Sequence, residues 1–201
     1  MYVRFFTVSI DLKERPMASA KERALTASKW IAIIAPLIFA VQVHVQGIPQ
    51  SIATWGMICV NNVIGIYLVK KSGNEDPGMQ IGWLISSTAV FLVVLYDHNH
   101  LEWGTVETIS LLVCIAALLL RVALNATAAL SAYFFAVVVS SFPLMRDYWF
   151  ISQPSTWWLW TSSIVSCTLA AYGAKERDAA HLFVPISVGS LNAFILYLSL
   201  R

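Results

Sequence analysis

The sequence predicts an all-α integral membrane protein, with seven transmembrane helices forming two parallel three-helix repeats joined by a linker helix. Three observations carry this. Of the 201 residues, 58% are hydrophobic and 12% charged, whereas a soluble domain carries roughly 25% charge; the chain lacks the charges to cover a water-facing surface. The charges are also clustered. They leave residues 30–69, 77–96, 122–145, 148–174 and 179–200 without Asp, Glu, Lys or Arg, each run long enough for one helix of about 20 residues or, in the first case, two. Third, two stretches echo each other, QSIATWGMICVNN from residue 50 and QPSTWWLWTSS from residue 153. Each opens an apolar run with a glutamine, small hydroxyl residues and a Thr-Trp pair.

Backbone polar groups in lipid must be satisfied within their own segment, so the apolar runs are helices. Residues 1–28 are a polar cytoplasmic lead-in whose apolar part, 5–10, is too short for a secretory signal. Met17 reads as a start in its own right, with residues 1–16 as an upstream extension. The first uncharged run must turn at QGIPQS, residues 46–51, where Gly and Pro break a helix, which separates spans one and two. KKSGNEDP, 70–77, is a loop, span three is 78–96, and DHNHLEWG, 97–104, is the next loop. Span four, 105–124, places Glu107 near one interface and lets Arg121 snorkel to the other. Spans five, six and seven are 126–145, 155–174 and 180–200. The domains are then the N-terminal segment 1–28, a first repeat 29–100, the linker helix 101–124 and a second repeat 125–201.

Seven crossings put the termini on opposite faces. One face then collects Lys13, Arg15, Lys21, Arg23, Lys29, Lys70, Lys71, Arg121, Lys175 and Arg177, and the other only Arg146 and Arg201. By the positive-inside rule the N-terminus is cytoplasmic and the C-terminus outside a cell (inner) membrane.

Laying Ala53-Thr54-Trp55 on Ser155-Thr156-Trp157 gives an offset of 102 and brings KKSGNEDPG close to GAKERDAAH. A direct copy of a three-helix unit would sit upside down, and one extra crossing restores its orientation; that is the logic of a parallel repeat. With IPQSIATW in one half and FPLMRDYWFISQPSTWWLW in the other, this 3+1+3 order resembles the SWEET and SemiSWEET sugar transporters. It also resembles the wider PQ-loop group (MtN3/saliva-like), to which PnuC-type vitamin transporters are related. Pro49-Gln50 lies nearer its Trp than the family spacing, Pro143 is followed by Leu144, and the orientation is opposite to that usual in eukaryotic sugar members.

The resemblance implies a solute pocket near the bilayer midplane, between the repeats, with an aromatic face and an amide from each half. Such a pocket suits a neutral solute, because a ring packs on a ring while Asn both donates and accepts without burying a charge. On span two, Trp55, Ile58 and Asn62 share a helix face, with Asn61 about 100° away. Trp157, Trp160 and Ile164 form the matching stripe on span six. Span seven offers Asn192, favoured by the resemblance, with Ser187 and Ser190; span three offers Ser86, Ser87 and Thr88. The substrate-binding candidates are therefore Trp55, Asn62, Trp160, Asn192 and Ser187. Trp157 and Trp158 read as interfacial anchors, and each Asn has an interhelical hydrogen bond as its alternative. Pro36, Pro143 and Pro185 are candidate hinges.

The same residues argue against other classes. Cys59, Cys114 and Cys167 are far apart in sequence, and DHNH has ligand chemistry without a partner cluster, so neither metal nor cofactor is expected. A net charge of +2 without a basic cluster argues against nucleic acid. Residues 179–200 hold no Lys for a Schiff base. His44 and His181 read as interface residues. No catalytic set is recognisable, so a membrane enzyme would depend on Asp97, His98, His100, Glu102 and Asp147. The expected partners are the bilayer and a neutral small molecule, with a homo-oligomer compatible. A non-transporting receptor or assembly subunit is the alternative.

Overall fold

The computed structural model describes residues 19–71, 77–97, 100–101, 103–123, 126–151, 153–174 and 179–201. The lead-in 1–18, the loop stretches 72–76 and 175–178, and His98 and Glu102, with the expectations placed on them, lie outside the described residues.

The first helix, α1, is Ala20–Gln46. It begins ten residues before the predicted span because Ser19 and Glu22 form a capping box: the Ser19 hydroxyl accepts the Glu22 N–H at 3.3 Å, and the Glu22 carboxylate accepts the Ser19 N–H at 2.7 Å. It stops at Gly47, where φ is 60°, a left-handed conformation that costs a side-chain-bearing residue about 1 kcal/mol or more. A two-residue strand β1, Gln50–Ser51, pairs in parallel with β2, His100–Leu101. Then come α2, Ile52–Lys71, α3, Gly78–Asp97, and α4, Thr105–Ala123.

The predicted fifth span is two helices, α5, Ala126–Ser140, and α6, Phe142–Phe150. The Ser140 and Ser141 hydroxyls both donate back to the Val137 carbonyl, at 2.7 and 2.9 Å, and Pro143 at the start of α6 has no N–H to continue the ladder. The axis breaks there, and the helical chain runs to Phe150 rather than ending at Met145. A 3-10 turn, Pro154–Thr156, leads into α7, Trp157–Gly173, and the last helix α8 is Ala179–Leu200.

α1 packs along both α3 and α7, α2 on α3, α7 on α8, and α4 on α5, while α2 also meets α5 and α8 meets α5 and α6. Small residues set the tightest crossings. A Cβ on Gly173 would come 2.8 Å from the Lys21 carbonyl, and one on Gly65 would come 2.7 Å from the Tyr133 hydroxyl. Ser28 and Ser166 bind each other's carbonyls at 2.8 and 2.9 Å across α1 and α7. In lipid such close, polar-stitched packing replaces the hydrophobic drive between helices.

The outer surface is apolar. Trp30, Ile34, Ile38, Val41 and Val45 form an exposed stripe down α1, and Ile81, Ile85, Leu92 and Leu95 another on α3; in water such faces would be buried. Three helices, Ala20–Gln46, Gly78–Asp97 and Leu182–Leu200, are long and apolar enough to cross a membrane, and Ile52–Tyr67 and Thr105–Ala116 are shorter apolar segments. The interior has three apolar clusters, the smallest built from Ala53, Met57, Cys114 and Ala136. Phe39, Val94, Leu144, Tyr148 and Leu198 fill the end of the bundle where α1 finishes, here the far end, and Ala32, Met79, Tyr133, Cys167 and Val184 fill the other.

Candidate functional site

Between the two larger clusters lies a pocket lined by aromatic and small polar side chains. It leaves about 100 Å³ in which the centre of a water-sized sphere can sit, room for several waters at about 10–15 Å³ each, or for one small ring compound. The helices supply their residues by period. Trp55, Ile58, Asn61 and Asn62 come from α2, and Trp83, Ser86 and Ser87 from α3. α7 gives Leu159, Trp160 and Ser163; α8 gives Val188, Leu191, Asn192 and Ile195. Pro36, inside α1, and Tyr133, Val137, Ser140, Ser141 and Leu144, on α5 and at its break, complete the wall.

Four of the five predicted substrate-binding residues meet here: Trp55, Asn62, Trp160 and Asn192. Ser187 does not join them; it is half-buried, outside the lining. The two central asparagines divide their work. Asn62 donates to the Ser87 hydroxyl at 3.2 Å, and Asn61 donates to the Ser140 hydroxyl at 3.0 Å while the Cys114 thiol lies 3.6 Å from its carbonyl oxygen. Asn61 thus ties α2 to α5 and α4, an interhelical role, while still bordering the pocket.

On α7 the pocket face differs from the predicted stripe. Trp157 is exposed and Ile164 lies outside the lining, while Leu159, Trp160 and Ser163 face in. At about 100° per residue the lining residues are centred roughly a quarter-turn from the Trp157 and Ile164 positions, so Trp157 points away and Trp160 stands at the edge of the face that points in. Among the prolines, Pro36 is buried mid-helix, Pro143 starts α6 and Pro185 is buried within α8.

The far end of the pocket is closed by amides. Gln50 donates to Gln153 at 3.2 Å, and its carbonyl oxygen accepts the Trp55 indole N–H at 3.2 Å. Gln42 accepts the Trp158 N–H at 3.0 Å and donates to the Ser155 carbonyl at 3.3 Å. Beyond this layer Arg146 binds two buried carboxylates, Glu107 at 2.7 and 3.3 Å and Asp147 at 2.7 and 3.0 Å. Glu107 also caps α4 by accepting the Gly104 N–H at 2.9 Å. Its carboxylate is therefore held by a guanidinium and a helix start.

Sequence reasoning missed Trp83, Tyr133 and the glutamine pair. For the glutamines a signal existed, since Gln50 and Gln153 open the two echoing stretches. Trp83 and Tyr133 sit in plain apolar runs, and nothing local marks them.

No protein-family model, no curated protein and no solved structure matches this chain.

Proposed function

We propose that the chain is a small-solute membrane transporter or facilitator, with seven crossings in a 3+1+3 order and a neutral polar and aromatic pocket between two three-helix repeats. The observation that carries this is the makeup of the pocket. Eight lining residues precede the linker helix, and six have a lining partner 105 positions later: Pro36 and Ser141, Trp55 and Trp160, Ile58 and Ser163, Trp83 and Val188, Ser86 and Leu191, Ser87 and Asn192. The same shift carries α1 onto α5 with α6, α2 onto α7 and α3 onto α8, and leaves α4 unmatched. It exchanges the α1–α7 seam with the α5–α2 seam.

A shift of 105, rather than the 102 suggested by the Thr-Trp pairs, makes Trp160 the counterpart of Trp55. It supports a parallel repeat related by an axis along the membrane normal, whose halves rock about a central site. It also supports the resemblance to the SWEET and PQ-loop group at the level of architecture. The lining holds no Asp, Glu, Lys, Arg or His, so the solute is uncharged, and an N-terminus on the cytoplasmic side follows from the charge asymmetry. The helices flanking Pro36, Pro143 and Pro185 are the natural places for bending.

The test is uptake into proteoliposomes from a panel of sugars, vitamins and nucleosides. Wild-type protein takes up at least one of them, and Trp160→Ala loses most of that uptake while still reconstituting. Absence of uptake for the whole panel, together with a stoichiometric protein partner on purification, would replace the transporter reading with that of an assembly subunit or receptor.

A further inference from the structure

We propose that the Tyr148 hydroxyl and the Trp160 indole N–H form a donor pair that reads one acceptor oxygen of an uncharged ring solute at the far end of the pocket. This rests on the pocket reading above and adds to it the chemistry of one end of the solute.

Trp160 lines the pocket and is 6% exposed; Tyr148 packs against it just outside the lining and is 1% exposed. Their rings meet edge to face, with centroids 6.0 Å apart and planes at 76°. Among the described residues, neither the Trp160 Nε1 nor the Tyr148 Oη has a hydrogen-bond partner, although both atoms are buried. The Tyr148 hydroxyl lies within hydrogen-bonding reach of Thr156, Trp160 and Gln50, but none of the three meets it in good geometry.

These neighbours are engaged elsewhere. The Thr156 hydroxyl donates to the Gln153 carbonyl at 2.8 Å, and the Gln50 amide is held between Trp55 and Gln153. The contrast with Trp55 is instructive. The two tryptophans occupy corresponding places in the lining, but the N–H of Trp55 is satisfied by Gln50 and that of Trp160 is left open.

An indole N–H can only donate, and a phenol donates readily. Two buried donors side by side, neither of them in a well-formed hydrogen bond, leave a place for an acceptor oxygen from outside the fold. Leaving such groups buried and unpaired is unfavourable, and native proteins rarely do so unless a water or ligand completes them. The ionic cluster beside Tyr148 sets the sign of the guest. Two carboxylates, Glu107 and Asp147, face one guanidinium, Arg146, so the formal balance is negative and repels a carboxylate or phosphate. A neutral hydroxyl or carbonyl oxygen on a ring that packs against the Trp160 face meets both conditions.

The experiment uses the full chain in detergent, with tryptophan-fluorescence titration of D-glucose, uridine and the monodeoxy analogues of each, and thermal melting of the unliganded protein. Tyr148→Phe, which keeps the ring, weakens binding of the parent compound about three- to tenfold, as loss of one hydrogen bond does. One deoxy analogue, the one lacking the acceptor, binds wild type and variant equally. Trp160→Phe shifts binding in the same direction. The unliganded Tyr148→Phe protein melts at or above the wild-type temperature, because an unpaired buried hydroxyl has been removed. Equal binding of every compound to wild type and Tyr148→Phe, or a melting temperature several degrees lower in the variant, overturns this proposal alone. Failure of wild type to bind any member of the panel overturns the pocket reading and this proposal with it.

Discussion

Gln50 and Gln153 stand 103 positions apart in the chain and join their side-chain amides at 3.2 Å in a buried position. Each precedes the helix that carries a pocket tryptophan, α2 for Trp55 and α7 for Trp160, so the bond links two otherwise separate parts of the far end. Replacing Gln50 by Ala strips the Trp55 N–H of its acceptor as well as breaking the amide pair. We expect a loss of about 1–3 kcal/mol, the range for leaving buried polar groups unpaired. Gln153→Ala costs less, and the double variant costs less than the sum of the singles; thermal melts of the four proteins in one detergent measure that coupling. Additive losses would mean that the two amides do not interact.

Arg146 ties α4 to α6 by holding Glu107 and Asp147 together. Arg146→Ala leaves two buried carboxylates with no cation, a defect typically costing about 3–5 kcal/mol. The guanidinium is itself about a third exposed, with 32% side-chain accessibility, so the lower end is expected. Glu107→Gln with Asp147→Asn in the Arg146→Ala background recovers most of the loss, because no charge is then stranded. Melting temperature and yield of folded protein read the series, and a triple variant no better than Arg146→Ala would refute the electrostatic cause.

Two glycines separate backbone from side-chain crowding. At Gly173 an added Cβ meets the Lys21 carbonyl at 2.8 Å and the Leu25 amide nitrogen at 3.1 Å, both backbone atoms of α1; at Gly56 it meets only the Phe91 ring at 3.4 Å. Gly173→Ala therefore pushes α1 and α7 apart, with a destabilisation of about 1–3 kcal/mol expected from overpacking. Gly56→Ala is neutral or slightly stabilising, since Ala is the better helix former by roughly 1 kcal/mol. Comparable melting temperatures for the two variants would show that the α1–α7 seam yields more easily than its geometry implies.

The sequence was most informative where physics acts locally. Charge-free runs mark most helices within a few residues, with the start of α1 ten residues off because its first turns are charged, and the Gly47 to Ser51 turn is legible because Gly and Pro punctuate it. Helix periodicity put Trp55 and Asn62 on one face of α2, where the pocket lies. It failed on α7 because the Thr-Trp pairs suggest a shift of 102 and a stripe through Trp157, whereas the lining runs through Leu159, Trp160 and Ser163. The break at Ser141 was hidden as well. Pro143 signalled a kink, but the serine hydroxyls that turn back on Val137 read as ordinary small residues. Tyr148 lies beyond the predicted end of span five, so the ring that packs on Trp160 falls between the predicted spans.

Asn61 and Asn192 offer the clearest separation of stability from function. Both line the pocket, and both are buried. Asn61 spends its amide on Ser140, with the Cys114 thiol beside its carbonyl oxygen, linking three helices. Asn192, on α8, stands 105 positions after Ser87 and shares the lining with Trp160 and Leu191. Asn61→Ala should therefore lower the melting temperature, by the equivalent of about 1–3 kcal/mol for the groups it leaves unpaired, with uptake falling only as folded protein is lost. Asn192→Ala should leave the melting temperature within a degree or two and reduce apparent affinity for the transported compound about tenfold, the value of one good hydrogen bond near 1.4 kcal/mol. Reconstituting equal amounts of folded protein and measuring uptake against concentration distinguishes the two effects. If Asn192→Ala instead unfolds the protein while Asn61→Ala abolishes uptake at full stability, the roles of the two amides are reversed.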